Sequence, residues 1–426
     1  MRICLETYGC SENQAESEMM KGLLKKNGFE VTDNLEDSDV IILNTCYVKS
    51  VTEQKIFSRM KYIEEKFPDK RLIIAGCIPS ANPWKIIKLC PTASLLSTHQ
   101  ISKVAKAVEE SLDGRVEYLD KKNEEKILLP KTRFNPLIDI VPIESGCAGS
   151  CSFCATKLAK GLVYSYPKGK IIEQIKLGLG EGCKEFWLTG QDTGAYGLDR
   201  GGRALPDLLN KITEIDKEFF LRLGMLNPNH AVAMLESLIQ SYKSNKIYKF
   251  LHVPIQSGDN EILKRMVRGY EVKDFENVVK EFRKNFERLQ IWTDVIVAFP
   301  GETEEQFENT VKLLERTKPD YVNISRYAKR LGTPASKLKQ LPTEVAKERS
   351  RIVTELTRKI SLERNKEWVD WSGSVLITEK GREDDQFIGR NFAYKPVLVE
   401  SRENLLGKTI KVTIGGASIA HLTGKL

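Results

Sequence analysis

The feature that most limits how this chain can fold is a series of six short apolar stretches, residues 140–144, 185–188, 219–223, 250–253, 291–298 and 321–325. Each is followed by a stretch of helical periodicity. Parallel neighbours need a long crossover, usually a helix, whereas an antiparallel partner needs only a turn. Six such units with nothing antiparallel between them predict a closed or partly closed parallel barrel. Barrels of this kind place their chemistry at the C-terminal ends of the strands. The residues just beyond each strand are therefore the candidates for a site.

At 426 residues the chain is too long for one core. Residues 1–115 show a similar alternation, with apolar runs at 3–5, 40–43 and 72–75. Helical stretches fall at 14–26, at 51–67 and from Ile101, with Gly28 placed to end the first. This predicts a parallel α/β sandwich. Residues 116–135 are charged and aperiodic and read as a linker into a barrel spanning 136–342. A basic amphipathic helix follows at 343–367, with Val345, Ile352, Leu356 and Ile360 at helical spacing. From 368 to 426 five short strands, at 375–377, 387–389, 397–399, 410–414 and 419–422, predict a small β-barrel of a kind often used on nucleic acid. No apolar run approaches the ~18 residues of a membrane span, and the N-terminus opens as a strand rather than a signal peptide. A cytoplasmic protein with no membrane partner is expected.

Nine cysteines in a reducing compartment need an account other than disulfides. Cys147, Cys151 and Cys154 follow the first barrel strand in Glu144-Ser145-Gly146-Cys147-Ala148-Gly149-Ser150-Cys151-Ser152-Phe153-Cys154. Three thiolates this close can wrap one iron–sulfur cubane, with Gly146 and Gly149 letting the backbone bend around it. No fourth cysteine is near, which leaves one iron open to a further ligand. Phe153 suits an adenine-bearing one. The alternatives are a zinc site, which normally wants four ligands in paired spacing, or buried free thiols.

Cys10, Cys46 and Cys77 also end strands, after Thr7-Tyr8-Gly9, Asn44-Thr45 and Ala75-Gly76. In a parallel sheet such ends share one edge. These cysteines are either small core residues or a second three-thiolate set. Cys4, Cys90 and Cys183 match no motif and are expected as small buried hydrophobes.

The C-x3-C-x2-C spacing on the first barrel loop resembles the radical-SAM superfamily, in which the open iron chelates the methionine end of S-adenosylmethionine. With the strand-end cysteines ahead of it and a small β-barrel behind, the whole chain resembles the methylthiotransferases. That resemblance implies a second 4Fe-4S cluster on Cys10, Cys46 and Cys77. It also implies that Gly190, Gln191 and Asp192, then Gln256, Ser257 and Gly258, then Gly301, lie in segments lining the S-adenosylmethionine pocket. The glycines would permit close backbone approach and the polar side chains would bond the cofactor, although any one of these glycines could equally serve a plain turn. His252 ends a strand and is either a satisfied structural residue or a functional one; no residue is assigned as a general base. Lys160-Gly161 stands where relatives often have Arg-Gly, which puts any bidentate contact in doubt.

The chemistry the resemblance implies replaces a C–H bond with C–S–CH3. One S-adenosylmethionine methylates a sulfur at the Cys10, Cys46 and Cys77 cluster. A second is cleaved at the Cys147, Cys151 and Cys154 cluster to the 5′-deoxyadenosyl radical that removes the substrate hydrogen. An electron donor and a sulfur donor are implied, neither named by the sequence. The stretches at 188–197 and 222–228 look most like the archaeal and eukaryotic branch, which acts on N6-threonylcarbamoyladenosine at position 37 of tRNA. Another modified adenosine, a ribosomal-protein aspartate, or a non-catalytic tRNA-binding iron–sulfur protein are the alternatives.

The C-terminal barrel resembles the RNA-binding TRAM module. Its candidate face carries Lys380, Arg382, Arg390, Lys395, Lys408 and Lys411, with Phe387, Phe392 and Tyr394 either stacking on bases or filling the core. The net charge of +8 is uneven: residues 326–367 hold twelve Lys and Arg against five Asp and Glu. Such a stretch suits a polyanion, or is simply a solvated helix face.

Overall fold

The structure is a computed structural model that describes residues 1–47 and 50–426, and of residues 50 and 51 the backbone alone. The chain begins with a six-stranded parallel sheet in the order Glu30–Thr32, Arg2–Thr7, Val40–Thr45, Arg71–Gly76, Ser94–Ser97 and Glu117–Tyr118. Val40–Thr45 is buried at every position, as a parallel strand covered on both faces must be. Met19, Met20 and Leu24 of helix Ser11–Lys26 cover one face. Ile56, Met60 and Ile63 of helix Ser50–Lys66 cover the other. Gly28 takes φ +83° just past the first helix and donates to Lys25 O at 3.0 Å, as its placement predicts. Three strands, Glu30–Thr32, Ser94–Ser97 and Glu117–Tyr118, escape the sequence reading because they have only two to four residues and little apolar pattern. The stretch expected as a linker contributes the last of them and buries Lys126 and Ile127.

Six parallel strands follow in two groups of three. Ile138–Pro142, Glu185–Thr189 and Phe220–Leu223 form one sheet; Phe250–His252, Gln290–Val297 and Tyr321–Arg326 form the other. One parallel bridge, Leu221 to Ile247, spans the gap between them, so the barrel is partial. Leu188, Leu221, Leu251 and Val295 share one large core with the surrounding helices. On the alternate side of the strands Phe250 clusters with Tyr248 and Tyr394, and Phe220 and Trp292 pack against them. One local exception breaks the all-parallel expectation. Glu144–Ser145 pairs antiparallel with Tyr164–Ser165, closing the base of the cysteine loop.

Helix Thr343–Lys366 forms as expected: Ile360 of the predicted stripe is buried and Ile352 and Leu356 pack partly buried on the main core, while Arg349, Val353, Thr357, Ser361 and Asn365 share the buried face. Arg349 can be buried because Glu302 Oε2 lies 2.7 Å from its Nη1. A closed barrel ends the chain, ordered Ser372–Lys380, Gln386–Asn391, Pro396–Glu400, Leu422–Lys425 and Thr409–Ala417. Its final strand starts three residues later than predicted, because Ser418 turns back onto His421 O and leaves Ile419 exposed.

The basic face also needs correction. Lys395 is buried, with Nζ 2.7 Å from both Asp320 Oδ1 and Asn365 Oδ1. Phe387 fills the barrel core, and Tyr394 is buried against Tyr248 and Phe250. Lys380, Arg382, Lys408 and Lys411 remain exposed. Among the described residues no helix is long and apolar enough to cross a membrane.

Candidate active site

The three strand-end cysteines of the first sheet lie at one edge because their strands are in register there. Thr7 pairs with Asn44, and Thr45 with Gly76. Side chains stitch the three loops together. Cys10 caps helix Ser11–Lys26 and its Sγ donates to Asn13 Oδ1 at 3.3 Å; Asn13 Nδ2 donates to Thr45 O at 3.0 Å. Thr45 Oγ1 in turn donates to Ala75 O at 2.6 Å and accepts from Ile78 N at 3.3 Å. A side chain at Gly9 would come within 2.9 Å of Cys46 Cβ, and one at Gly76 within 2.3 Å of Asn44 Oδ1. Both positions also have positive φ, so glycine is required twice over. Cys10 is exposed while Cys46 and Cys77 are buried.

The second cysteine loop sits beyond the strand Ile138–Pro142, at the C-terminal face of the partial barrel. Cys147 N donates to Gly161 O at 3.2 Å, and Gly149 N to Cys147 Sγ at 3.3 Å. A Cβ on Gly149 would lie 3.4 Å from Cys147 Sγ and 3.7 Å from Cys151 Sγ, so both sulfurs crowd the same glycine. Thr156 N points at Cys154 Sγ across 3.4 Å. The loop is pinned from outside by Ser152, whose N donates to Met266 O at 2.9 Å and whose Oγ donates to Arg265 O at 2.8 Å. Burial pushes the Cys147 thiol up to about 12 and raises those of Cys154 and Cys77. A bare thiol here resists ionisation, and metal binding must displace its proton.

Thiol donors, backbone N–H groups aimed at sulfur and a guanidinium beside Cys151 are the environment an anionic iron–sulfur cluster needs. Among the described residues no three His, Cys, Asp or Glu side chains meet closely enough to hold a single ion. A cubane makes a different demand, since its thiolates bind separate irons.

The predicted pocket residues fall into two groups. Gln191 Oε1 accepts from Gly146 N at 2.6 Å, which ties the loop after the second strand to the residue before Cys147. Gly190 lies against Glu144, whose Cγ would be 2.6 Å from an added Cβ. Asp192 is buried and accepts from Asn227 N at 3.0 Å and from Asn227 Nδ2, with His230 Nε2 at 3.4 Å. Phe153 packs on Phe299, Ile262 and Met266. Gln256 takes φ +72° and bridges to Val295.

Ser257, Gly258 and Gly301 face other chain segments. Gly258 backs onto helix Glu304–Thr317, with Thr310 Cα 2.5 Å from where its Cβ would be, and Ser257 is fully buried beside it. At Gly301 the room is taken by Arg265, 2.5 Å away. His252 Nε2 lies 2.5 Å from Asp294 Oδ2.

Two residues without an expected role are prominent. Arg268 reaches Cys151 Sγ with Nη1 at 2.9 Å and Asn227 Oδ1 with Nη2, while its Nε donates to Tyr270 OH at 2.8 Å. Glu144 is fully buried; its Oε1 accepts from Asp192 N at 3.1 Å and its Oε2 has no partner. Burial, and then the Asp192 carboxylate, raise its pKa well above the usual carboxylate range. Glu144 stands next to the cysteine motif and could have been singled out. Arg268 lies 117 residues from Cys151 and carries no spacing signal.

Residues 141–314 match the radical SAM superfamily, and residues 2–97 match a family described only as "Uncharacterized protein family UPF0004". A "Probable threonylcarbamoyladenosine tRNA methylthiotransferase" from Archaeoglobus fulgidus is 43% identical, covering 100% of this chain and 99% of that one. The "Threonylcarbamoyladenosine tRNA methylthiotransferase" of Homo sapiens is 36% identical, covering 97% of this chain and 72% of that one. Among solved structures, a radical S-adenosylmethionine methyltransferase from Kitasatospora setae superposes with TM-score 0.58 over 79% of this chain and 77% of that one; at 13% identity this shows a shared fold. The fold, both cysteine sets and these full-length relatives agree: the chain belongs to the threonylcarbamoyladenosine tRNA methylthiotransferases of the radical-SAM superfamily.

Proposed function

We propose that this protein converts N6-threonylcarbamoyladenosine at position 37 of tRNA to its 2-methylthio derivative. The observation that carries the reading is the pair of cysteine triads, each at the C-terminal edge of a parallel sheet. Cys147, Cys151 and Cys154 would hold one 4Fe-4S cluster, and Cys10, Cys46 and Cys77 a second. When bound, the clusters and S-adenosylmethionine supply the reductive chemistry, the sulfur and the methyl group that ordinary acid–base chemistry cannot.

The chain's own residues position and exclude. Gln191 and Asp192 brace the loop beside Cys147, and Phe153 would offer a ring to the adenine of S-adenosylmethionine. Arg268 places a fixed cation on the Cys151 sulfur, where it would stabilise the more reduced, more negative state of a bound cluster. The domain limits 1–115, 136–342 and 368–426 fit this division of labour, with 343–367 connecting the last two. tRNA would lie over exposed Lys337, Lys347, Arg358 and Lys359 of the basic stretch and Lys380 and Lys411 of the terminal barrel. A cytoplasmic place of work, an electron donor and a sulfur donor belong to the same proposal.

The test is anaerobic reconstitution with iron, sulfide, S-adenosylmethionine and a reductant, followed by mass analysis of tRNA nucleosides. A methylthio group on N6-threonylcarbamoyladenosine supports the reading. Methylthiolation of a different substrate, with that base untouched, overturns it.

A further inference from the structure

Lys160 links the segments that carry the two cysteine triads. Its backbone runs across the start of the barrel's cysteine loop: Cys147 N bonds Gly161 O, and a side chain on Gly146 would strike Leu162 O at 2.0 Å and Lys160 O at 3.0 Å. Its side chain crosses to the other body. Nζ lies 3.2 Å from Glu12 Oε1, 2.6 Å from Glu16 Oε1 and 2.8 Å from Thr98 Oγ1.

Glu12 is the second residue after Cys10. Thr98 N donates to Gly76 O, immediately before Cys77, at 3.1 Å. One ammonium therefore touches the supports of two strand-end cysteines, while the carbonyl of the next residue, Gly161, accepts from the N–H of Cys147 in the other triad.

The setting is buried throughout: Lys160 is 3% exposed, Glu12 2% and Glu16 fully enclosed. Lys126 Nζ adds a second cation 2.5 Å from Glu16 Oε1. Glu12 Oε2, Glu16 Oε2 and the neighbouring Tyr166 OH have no partner. Domain glue alone is a poor reason to bury four ions, because apolar side chains of similar volume usually hold such an interface as well or better. The charge is held by Glu12, two residues beyond Cys10, and by Thr98, whose N–H bonds the carbonyl just before Cys77, which sets it beside the segments that carry both thiols.

We infer that Lys160 is a positioning residue that fixes the two cysteine sites relative to one another and provides the cation facing the Cys10, Cys46 and Cys77 site. This rests on the reading that both triads hold clusters. A cation beside an anionic cluster favours its one-electron-reduced form and raises its potential; an added carboxylate does the reverse.

The experiment uses full-length, anaerobically reconstituted protein with a Cys147→Ala background, so that only the N-terminal cluster reports, and measures its midpoint potential by redox titration with electron paramagnetic resonance. Lys160→Met is expected to lower the potential and Glu12→Gln to raise it, whereas loss of packing alone would not move them in opposite directions. With Cys147 restored, Lys160→Met is expected to give about tenfold less methylthiolated product per 5′-deoxyadenosine released, a deficit that Lys160→Arg repairs.

Potentials that stay put, or shift the same way in both variants, overturn the inference. Should Lys160→Met fail to fold, Glu12→Gln decides alone: a raised potential supports it and an unchanged one sinks it. Protein with no cluster left in the Cys147→Ala background overturns this inference and the two-cluster reading together; a cluster that remains there with an unmoved potential overturns this inference only.

Discussion

Arg268 Nη1 donates to Cys151 Sγ across 2.9 Å. The same guanidinium holds Asn227, and Asn227 holds Asp192, so a chain of hydrogen bonds runs from Cys151 through the loop after the third barrel strand to the loop after the second. The cysteine loop is thus fixed by groups from three separate barrel segments, and a disturbance in any of them reaches the sulfur.

Replacing Arg268 with methionine keeps most of its bulk and removes the cation. Iron content should stay near that of the parent, while the rate of 5′-deoxyadenosine release under fixed reductant falls about ten- to a hundredfold. Release at the parental rate would show that the contact is incidental.

Cys10→Ala should halve the iron and sulfide bound after reconstitution. It should leave S-adenosylmethionine cleavage in place and abolish methylthio transfer, because only the barrel triad survives. Parental iron content in this variant would remove Cys10 from the ligand set.

Asp320→Ala leaves Lys395 buried without its carboxylate and frees the N–H of Ile291, which Asp320 Oδ2 holds at 2.9 Å. A stranded buried charge of this kind costs about 3–5 kcal/mol, and urea denaturation should show a loss of that order. Arg351→Ala, which breaks only exposed contacts to Glu348 and Glu355, should leave the midpoint where it is.

His99 is buried with Nε2 3.1 Å from Ala159 O. Burial, then the nearby Lys126 and Lys160 ammonium groups, lower its pKa from 6.5 to about 4. The unfolded chain therefore binds a proton that the folded chain refuses between those two values. Stability from this group is complete above pH 6.5 and declines as the pH falls toward 4, by about 3 kcal/mol at most. His99→Gln should flatten that part of the curve of unfolding free energy against pH; an unaltered slope would assign the acid sensitivity elsewhere.

The cysteine triads were legible because each sits directly after an apolar strand, and a strand end in a parallel sheet has only one edge on which to emerge. The partial barrel was legible for the same reason, from the alternation of strand and helix. Lys395 shows where that reasoning stops: nothing local to it distinguishes a lysine that will bind phosphate from one that will be enclosed by Asp320, 75 residues away. The partners of Lys160 are further still, 144 residues for Glu16. Such pairings depend on how two sheets pack, which periodicity does not encode. The short strand Ser94–Ser97 was missed because it borrows its burial from the sheet around it rather than from its own sequence pattern.

The most direct test of the account is to supply tRNA whose N6-threonylcarbamoyladenosine carries deuterium at C2 and to follow the label under single-turnover conditions. Deuterium should appear in 5′-deoxyadenosine in step with the methylthio product. Label that stays entirely in the tRNA while S-adenosylmethionine is cleaved would contradict the placement of that carbon at this site.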